Sequence, residues 1–197
     1  MTLDLATRLA DLALKFGRVN RATFHPDGKR PETDTDHTIM LILIGCTLGA
    51  ELGLDVGKIA QLAAVHDLPE TKCGDTPTFG IQELDRQKKK AVEDQAIASL
   101  FSEFRDNAWF VSTLTEYEQQ VLPEARFVRY LDKVLPKLTH LFNKGITMRA
   151  VAKTRSDVID IHEMQIELLA QQYPEFKSVD MLLRLACSAS EAAFEEA

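Results

Sequence analysis

Cysteine is scarce in this chain. Only Cys46, Cys73 and Cys187 occur, an odd number with no Cys-x-x-Cys pair. That argues against a disulfide framework and fits a reducing compartment. Long apolar runs are missing as well. The most apolar stretch, 39–50, contains Gly45, Thr47 and Gly49. It falls short of the roughly 20 residues that a bilayer-spanning helix needs, and reads as a buried core helix. Residues 1–15 mix charge with Leu and Ala, without the basic start and unbroken apolar stretch of a signal peptide. A cytoplasmic protein without membrane contact is therefore expected. Positive charge is not in excess: 23 Lys and Arg stand against 30 Asp and Glu, for a net charge of -7. Affinity for a nucleic-acid backbone comes from Lys and Arg displacing counterions, so no polymer partner is expected. A small anionic ligand remains open, because a bound metal dominates the field at its own site. The Gly-Lys-Ser/Thr ending of a P-loop is absent, which speaks against group transfer from ATP. No nucleophilic Ser or Cys stands in a recognisable motif.

What is present is helical patterning. With 197 residues, 45% apolar and 27% charged, the chain can bury one substantial core. Leu5, Leu9, Leu12 and Phe16 recur at spacings of three and four, which predicts a helix over 3–16. Further helices are predicted over about 37–52, 56–67, 82–104, 107–120, 124–142, 156–173 and 179–194. Between the first two, 17–31 reads as a loop holding Pro26, Gly28 and Pro31 with Arg18, Arg21, Lys29 and Arg30. Thr33, Asp34 or Thr35 can cap the second helix, with Asp36 near its positive end. Pro123 suits a first helical turn, and Pro136 predicts a kink. No apolar/polar alternation bounded by hairpin turns is found, so no sheet is predicted. The expected fold class is all-α: one domain over 1–197, about eight helices, with a motif-bearing core over about 10–142 and closing helices over about 147–197. The run Arg86, Lys88, Lys89 and Lys90 reads as a solvated helix face pairing with Glu93 and Asp94. Leu168, Leu169, Leu182, Leu183 and Leu185 read as core or as an oligomer interface.

The chemically informative segment is His66-Asp67-Leu68-Pro69-Glu70, followed by Gly74-Asp75-Thr76-Pro77. A bare His-Asp pair means little. Here it ends an apolar helix and is followed by further acids in a turn-rich loop. Imidazole nitrogen with carboxylate oxygen suits a borderline or hard divalent ion. Two ligands are too few. His37 opens the preceding apolar helix. Asp132 sits in a stretch where Val128, Leu131 and Leu135 mark a core-facing side. An acid near a core face needs a partner. A metal would be one, and an ion pair with Arg126, Arg129 or Lys133 another. His25, His140 and His162 read as structural or surface residues.

The order His37, then His66-Asp67, then Asp132 resembles the HD-domain phosphohydrolases. Glu32-Thr33-Asp34-Thr35-Asp36-His37-Thr38, His66-Asp67 with Glu70 and Gly74-Asp75, and Glu124-Ala125 through Val128 to Asp132 are similar to the motifs of their small 5′-deoxynucleotidase branch. The resemblance spans roughly residues 10–142. It implies that His37, His66, Asp67 and Asp132 hold one divalent ion, be it Mn, Co, Fe, Ni, Zn or Mg. It implies catalytic roles for Asp67, Glu70 and Asp75, with Glu70 orienting or deprotonating the attacking water and Asp75 touching water or the sugar. Arg18 and Arg21, with Asp75 and Thr76, are the substrate-binding candidates. Arg18 is followed by Val19, where the branch often carries Trp, and the loop around Phe24 to Arg30 is longer.

Such a set suits hydrolysis of a phosphoester, which its own negative charge protects from attack in water. A metal neutralises a phosphate oxygen and acidifies water, an arginine fork adds bidentate hydrogen bonds, and a carboxylate accepts a proton. The leading expectation is conversion of deoxynucleoside 5′-monophosphates to nucleoside and phosphate. The alternatives are a deoxynucleoside triphosphate triphosphohydrolase and a non-catalytic nucleotide-binding module. A homo-oligomer, dimer or larger, is expected from the apolar positions of the last helices.

Overall fold

The computed structural model describes residues 2–75, 83–150, 152 and 154–194. Thr76 and Pro77 lie outside the described residues. Eight long helices carry the fold: α1 (Leu3–Phe16), α2 (Asp34–Glu51), α3 (Val56–Val65), α5 (Glu83–Glu103), α6 (Ala108–Gln119), α7 (Pro123–Phe142), α8 (Arg155–Gln172) and α9 (Lys177–Ala193). A single turn, α4 (Glu70–Cys73), follows the His-Asp pair. Local chemistry sets the starts. Thr33 caps α2 and Asp36 returns the bond to its backbone, a reciprocal capping box that Thr154 and Asp157 repeat on α8. Asp55 caps α3 by accepting from the Lys58 amide, and Asn107 caps α6 by accepting from the Phe110 amide. Pro123 takes the first turn of α7, and that helix continues through Pro136. All three cysteines are free. Among the described residues, no helix is long and apolar enough to cross a membrane.

The principal core joins α2, α3, α7 and α9 through Leu41, Ile59, Leu62, Phe127, Leu131 and Leu183. Helices α2 and α3 come close because Gly49 leaves room: a Cβ there would lie 2.2 Å from Ile59 Cδ1. A second cluster seats Leu12 of α1 against Val65, Leu100, Phe104, Phe110 and Leu114. Of the late leucines, Leu169 and Leu183 are core, whereas Leu168 and Leu185 are exposed beside Met164 and Met181. Lys89 pairs with Glu93 at 3.5 Å and Lys90 with Asp94 at 3.1 Å, as a solvated face should.

The expectation of no sheet needs correcting. Strands β1 (Asn20–Phe24) and β2 (Pro31–Thr33) pair antiparallel where a loop was predicted. The reversal is built by Asp27, whose Oδ1 accepts from the Lys29 and Arg30 amides at 2.9 and 3.2 Å, and by Gly28 at φ 66°. Three to five residues per strand leave too few alternations to register as a sequence pattern. The hairpin matters because it delivers Arg21 and Thr23 to the site.

Lys137 on α7 is 3% exposed, and among the described residues its charge acts on His140, His162 and Cys187. Burial pushes its ammonium down from 10.5 to about 8. At pH 7 the buried charge therefore costs the fold about 3 kcal/mol relative to the unfolded chain. The cost is fully present below pH 8 and fades as pH rises towards 10.5, because the folded state loses its proton first. Lys137→Met is expected to stabilise the protein by roughly 1–3 kcal/mol at pH 7 and by much less at pH 10. Urea unfolding of both proteins at the two pH values checks this, and an equal or lower stability of the variant at pH 7 would refute it.

Candidate metal centre

His37 lies in the first turns of α2, one residue past the capping box, and is 1% exposed. His66 caps the C-terminus of α3, and Asp67 follows it. Neighbours on a continuing helix point about 100° apart. Because α3 ends at Val65, both side chains turn into one space. Asp132 enters from α7. His37 Nε2 lies 2.9 Å from Asp132 Oδ1, and His66 Nε2 lies 2.9 Å from Asp67 Oδ2. The two imidazole rings stand 5.5 Å apart. One donor atom from each of the four residues falls within 4.8 Å of all the others.

The donors suit a metal. His66 Nδ1 donates to the Ala63 carbonyl at 2.8 Å, which leaves the lone pair on Nε2. That Nε2 is buried and faces Asp67 Oδ2 at 2.9 Å without hydrogen-bond geometry, as two ligands of one ion would. Two imidazole nitrogens and two carboxylate oxygens form a set that borderline divalent ions favour. Two of the cations on the helix of Asp132 pair elsewhere: Arg126 binds Glu175 and Arg129 reaches Glu118.

A family model described as HD domain matches residues 13–173. The chain belongs to the HD domain family. Two solved structures share the fold of this HD domain. One is the crystal structure of a predicted metal-dependent phosphohydrolase from Magnetospirillum magnetotacticum MS-1, at 22% identity and TM-score 0.71, covering 98% of this chain and 97% of that one. The other is a conserved hypothetical protein from Pyrococcus furiosus, at 23% identity and TM-score 0.57, covering 93% and 99%. No curated protein matches the chain.

Arg21 of β1 reaches into the centre of the HD domain. Its Nη1 lies 2.8 Å from Asp67 Oδ2 and 3.0 Å from Asp34 Oδ1, with Glu70 Oε2 at 4.0 Å. Asp34, Asp67 and Glu70 form a second group of donors within 4.8 Å, sharing Asp67 with the first. Burial disfavours the Arg21 charge, but Asp67, Asp132, Asp75 and Glu70 outweigh it and hold the guanidinium protonated well above its ordinary range. Arg18, by contrast, is exposed. It lines a cleft of about 450 Å³ with Lys15, Asn20, Glu70, Lys72 and Asp75. Of the sequence candidates, Arg21 thus reaches the four-residue cluster with Glu70 beside it, Asp75 acts on both by its charge, and Arg18 lines the adjoining cleft.

The carboxylates divide by environment. Burial opposes ionisation of Asp132, but the hydrogen bond and charge of His37 hold it far below the carboxylate range. Burial is likewise overcome at Asp67, which His66 holds at about 2. Glu70 goes the other way: burial, then the charges of Asp67, Asp34 and Asp75, push it up to about 11. Burial also lifts Asp34 to about 6, against the pull of Arg21. His37 is disfavoured as a cation by burial, yet its hydrogen bond to Asp132 and the nearby Glu32 carboxylate raise it to about 9. Metal binding requires neutral imidazole, so protons compete for this position.

Sequence reasoning passed over three residues here. Asp34 reads as a helix cap and turns out fully buried against Arg21. Glu32 reads as part of a motif without a role, and is buried beside His37. Tyr117 stands edge-on to the His66 ring at 5.9 Å with Arg129 over its face. Only its place on a helix was visible in the sequence.

Proposed function

We propose that this HD domain is a metal-dependent phosphohydrolase of nucleotides, acting on deoxynucleoside 5′-monophosphates to give nucleoside and phosphate. The observation that carries it is the convergence of His37, His66, Asp67 and Asp132 within 4.8 Å, beside a cleft lined by Arg18, Glu70 and Asp75. The similarly folded protein from Magnetospirillum, named as a predicted metal-dependent phosphohydrolase, supports the reading. One divalent ion per chain, when bound by the four residues, supplies Lewis-acid charge to the phosphate and to water.

The chain's own residues do the rest. Asp67 and Asp132 stay ionised at neutral pH as acceptors. Arg21 keeps Asp67 and Asp34 from repelling one another and directs its fork at the same space. Arg18 grips the phosphate from the mouth of the cleft with bidentate donors. Glu70 Oε2 is buried and without a hydrogen-bond partner; ionised once a bound cation offsets the charges of Asp67, Asp34 and Asp75, it would receive a proton from the attacking water. Asp75 orients that water or the sugar from the cleft wall. The exposed Met164, Leu168, Met181 and Leu185 are the face on which a homo-oligomer would form.

A second reading, triphosphate release from deoxynucleoside triphosphates, is favoured by Lys15 and Lys72 lining the same cleft. Incubation with mono- and triphosphates and added divalent metal, followed by anion-exchange separation, distinguishes them. Phosphate plus nucleoside is the expected product, and triphosphate plus nucleoside establishes the second reading. No turnover with any metal refutes both. In the same assay Arg18→Ala is expected to lose about 10–100-fold in kcat/KM, the worth of one charge-assisted contact.

A further inference from the structure

Glu32, at the end of the hairpin, is 3% exposed, and its two oxygens face different partners. Oε2 accepts from Thr23 Oγ1 at 2.6 Å and from Thr139 Oγ1 at 3.3 Å. Oε1 lies 3.6 Å from His37 Nδ1 and has no hydrogen-bond partner of its own. The other nitrogen of that ring, Nε2, faces Asp132 across the centre. We propose that Glu32 is a positioning residue: its Oε1 favours the proton of His37 on Nδ1, closes from 3.6 Å to accept that N–H, fixes the ring, and leaves the Nε2 lone pair for the metal. This rests on the reading of His37 as a metal ligand.

A neutral imidazole carries one proton, and the partner of one nitrogen decides what the other offers. The two histidines of the centre solve this differently. His66 gives its Nδ1 proton to a neutral carbonyl, that of Ala63. His37 faces a carboxylate, which orients the ring and also makes its free nitrogen a stronger donor. An ionised carboxylate at this depth needs support. Thr23 from β1 and Thr139 from α7 supply it, so the acid cannot turn away from the ring without losing both bonds. The hairpin and α7 are thereby tied to one ligand of the centre.

A purely structural role would be a clasp between hairpin and α7, and metal affinity separates the two. Calorimetric titration of the purified chain with Co²⁺ is compared for the native protein, Glu32→Gln, Thr139→Val and His37→Ala, with the visible spectrum of each Co²⁺ form. Glu32→Gln keeps size and an oxygen for the threonines. It is expected to bind Co²⁺ at least about tenfold more weakly, with a shifted spectrum and an unchanged melting temperature of the metal-free protein. Thr139→Val loosens the brace without touching the acid and is expected to weaken binding a few-fold. Native affinity and spectrum in Glu32→Gln would reduce Glu32 to a clasp and overturn the proposal, while His37→Ala still loses the metal. Native affinity in His37→Ala would instead overturn the ligand reading itself, and the proposal with it.

Discussion

Asp67→Ala is expected to lose hydrolysis by about three orders of magnitude or more, together with any response to metal. Asp67 is the residue on which the whole site converges. It belongs to the group with His37, His66 and Asp132 and to the group with Asp34 and Glu70. It also accepts from Arg21 at 2.8 Å. Truncation leaves three donors around a space open to water, and frees Arg21 from one of its two close carboxylates. The thermal readout is independent of turnover. A ligand at one hundred times its Kd stabilises the native state by about 2.7 kcal/mol, so added metal should raise the melting temperature of the native protein by several degrees. The Asp67→Ala protein should show no such rise. Retention of a metal-dependent rise with turnover intact would remove Asp67 from the centre.

Glu70→Gln should separate chemistry from binding. The amide has nearly the shape of the acid and cannot take up a proton. The expected result is a fall in kcat of about 10²–10⁴-fold, the usual worth of a positioned general base. KM and the affinity for metal should stay within a few-fold of native, since Glu70 is outside the four-residue group that holds both imidazoles. Calorimetry beside steady-state kinetics makes the distinction. A variant with native kcat would show that water is activated without Glu70. A variant that instead loses metal would make Glu70 a ligand.

The helices were legible because their cause is local. Apolar spacing of three and four, Thr33 among the candidate caps of α2, and Pro123 at a first turn each act within one turn of chain, and the observed bounds fall within a few residues of those predicted. The order His37, His66-Asp67, Asp132 was visible as a spaced set of residue types. That these four meet depends on α2, α3 and α7 packing side by side, which their apolar faces foreshadow. The hairpin was not legible. Its strands are too short to show a period, and its turn rests on one Asx contact and a glycine at positive φ.

Sequence by itself determined the helical class, the helix boundaries and the chemical types available for a metal. Tertiary structure alone decided which charges are buried together. Arg21 and Asp67 are separated by 46 residues, and Thr139 and Glu32 by 107, yet each pair is in hydrogen-bond contact. Nothing in the local pattern around Arg21 distinguishes it from the exposed Arg18 three residues earlier. Their difference comes from placement: the strand turns Arg21 inward, and Arg18, two residues before the strand begins, stays exposed along the cleft. Burial then supplies the energy scale: the same carboxylate is an ordinary surface acid in water and a strongly perturbed group beside other charges in a dry site.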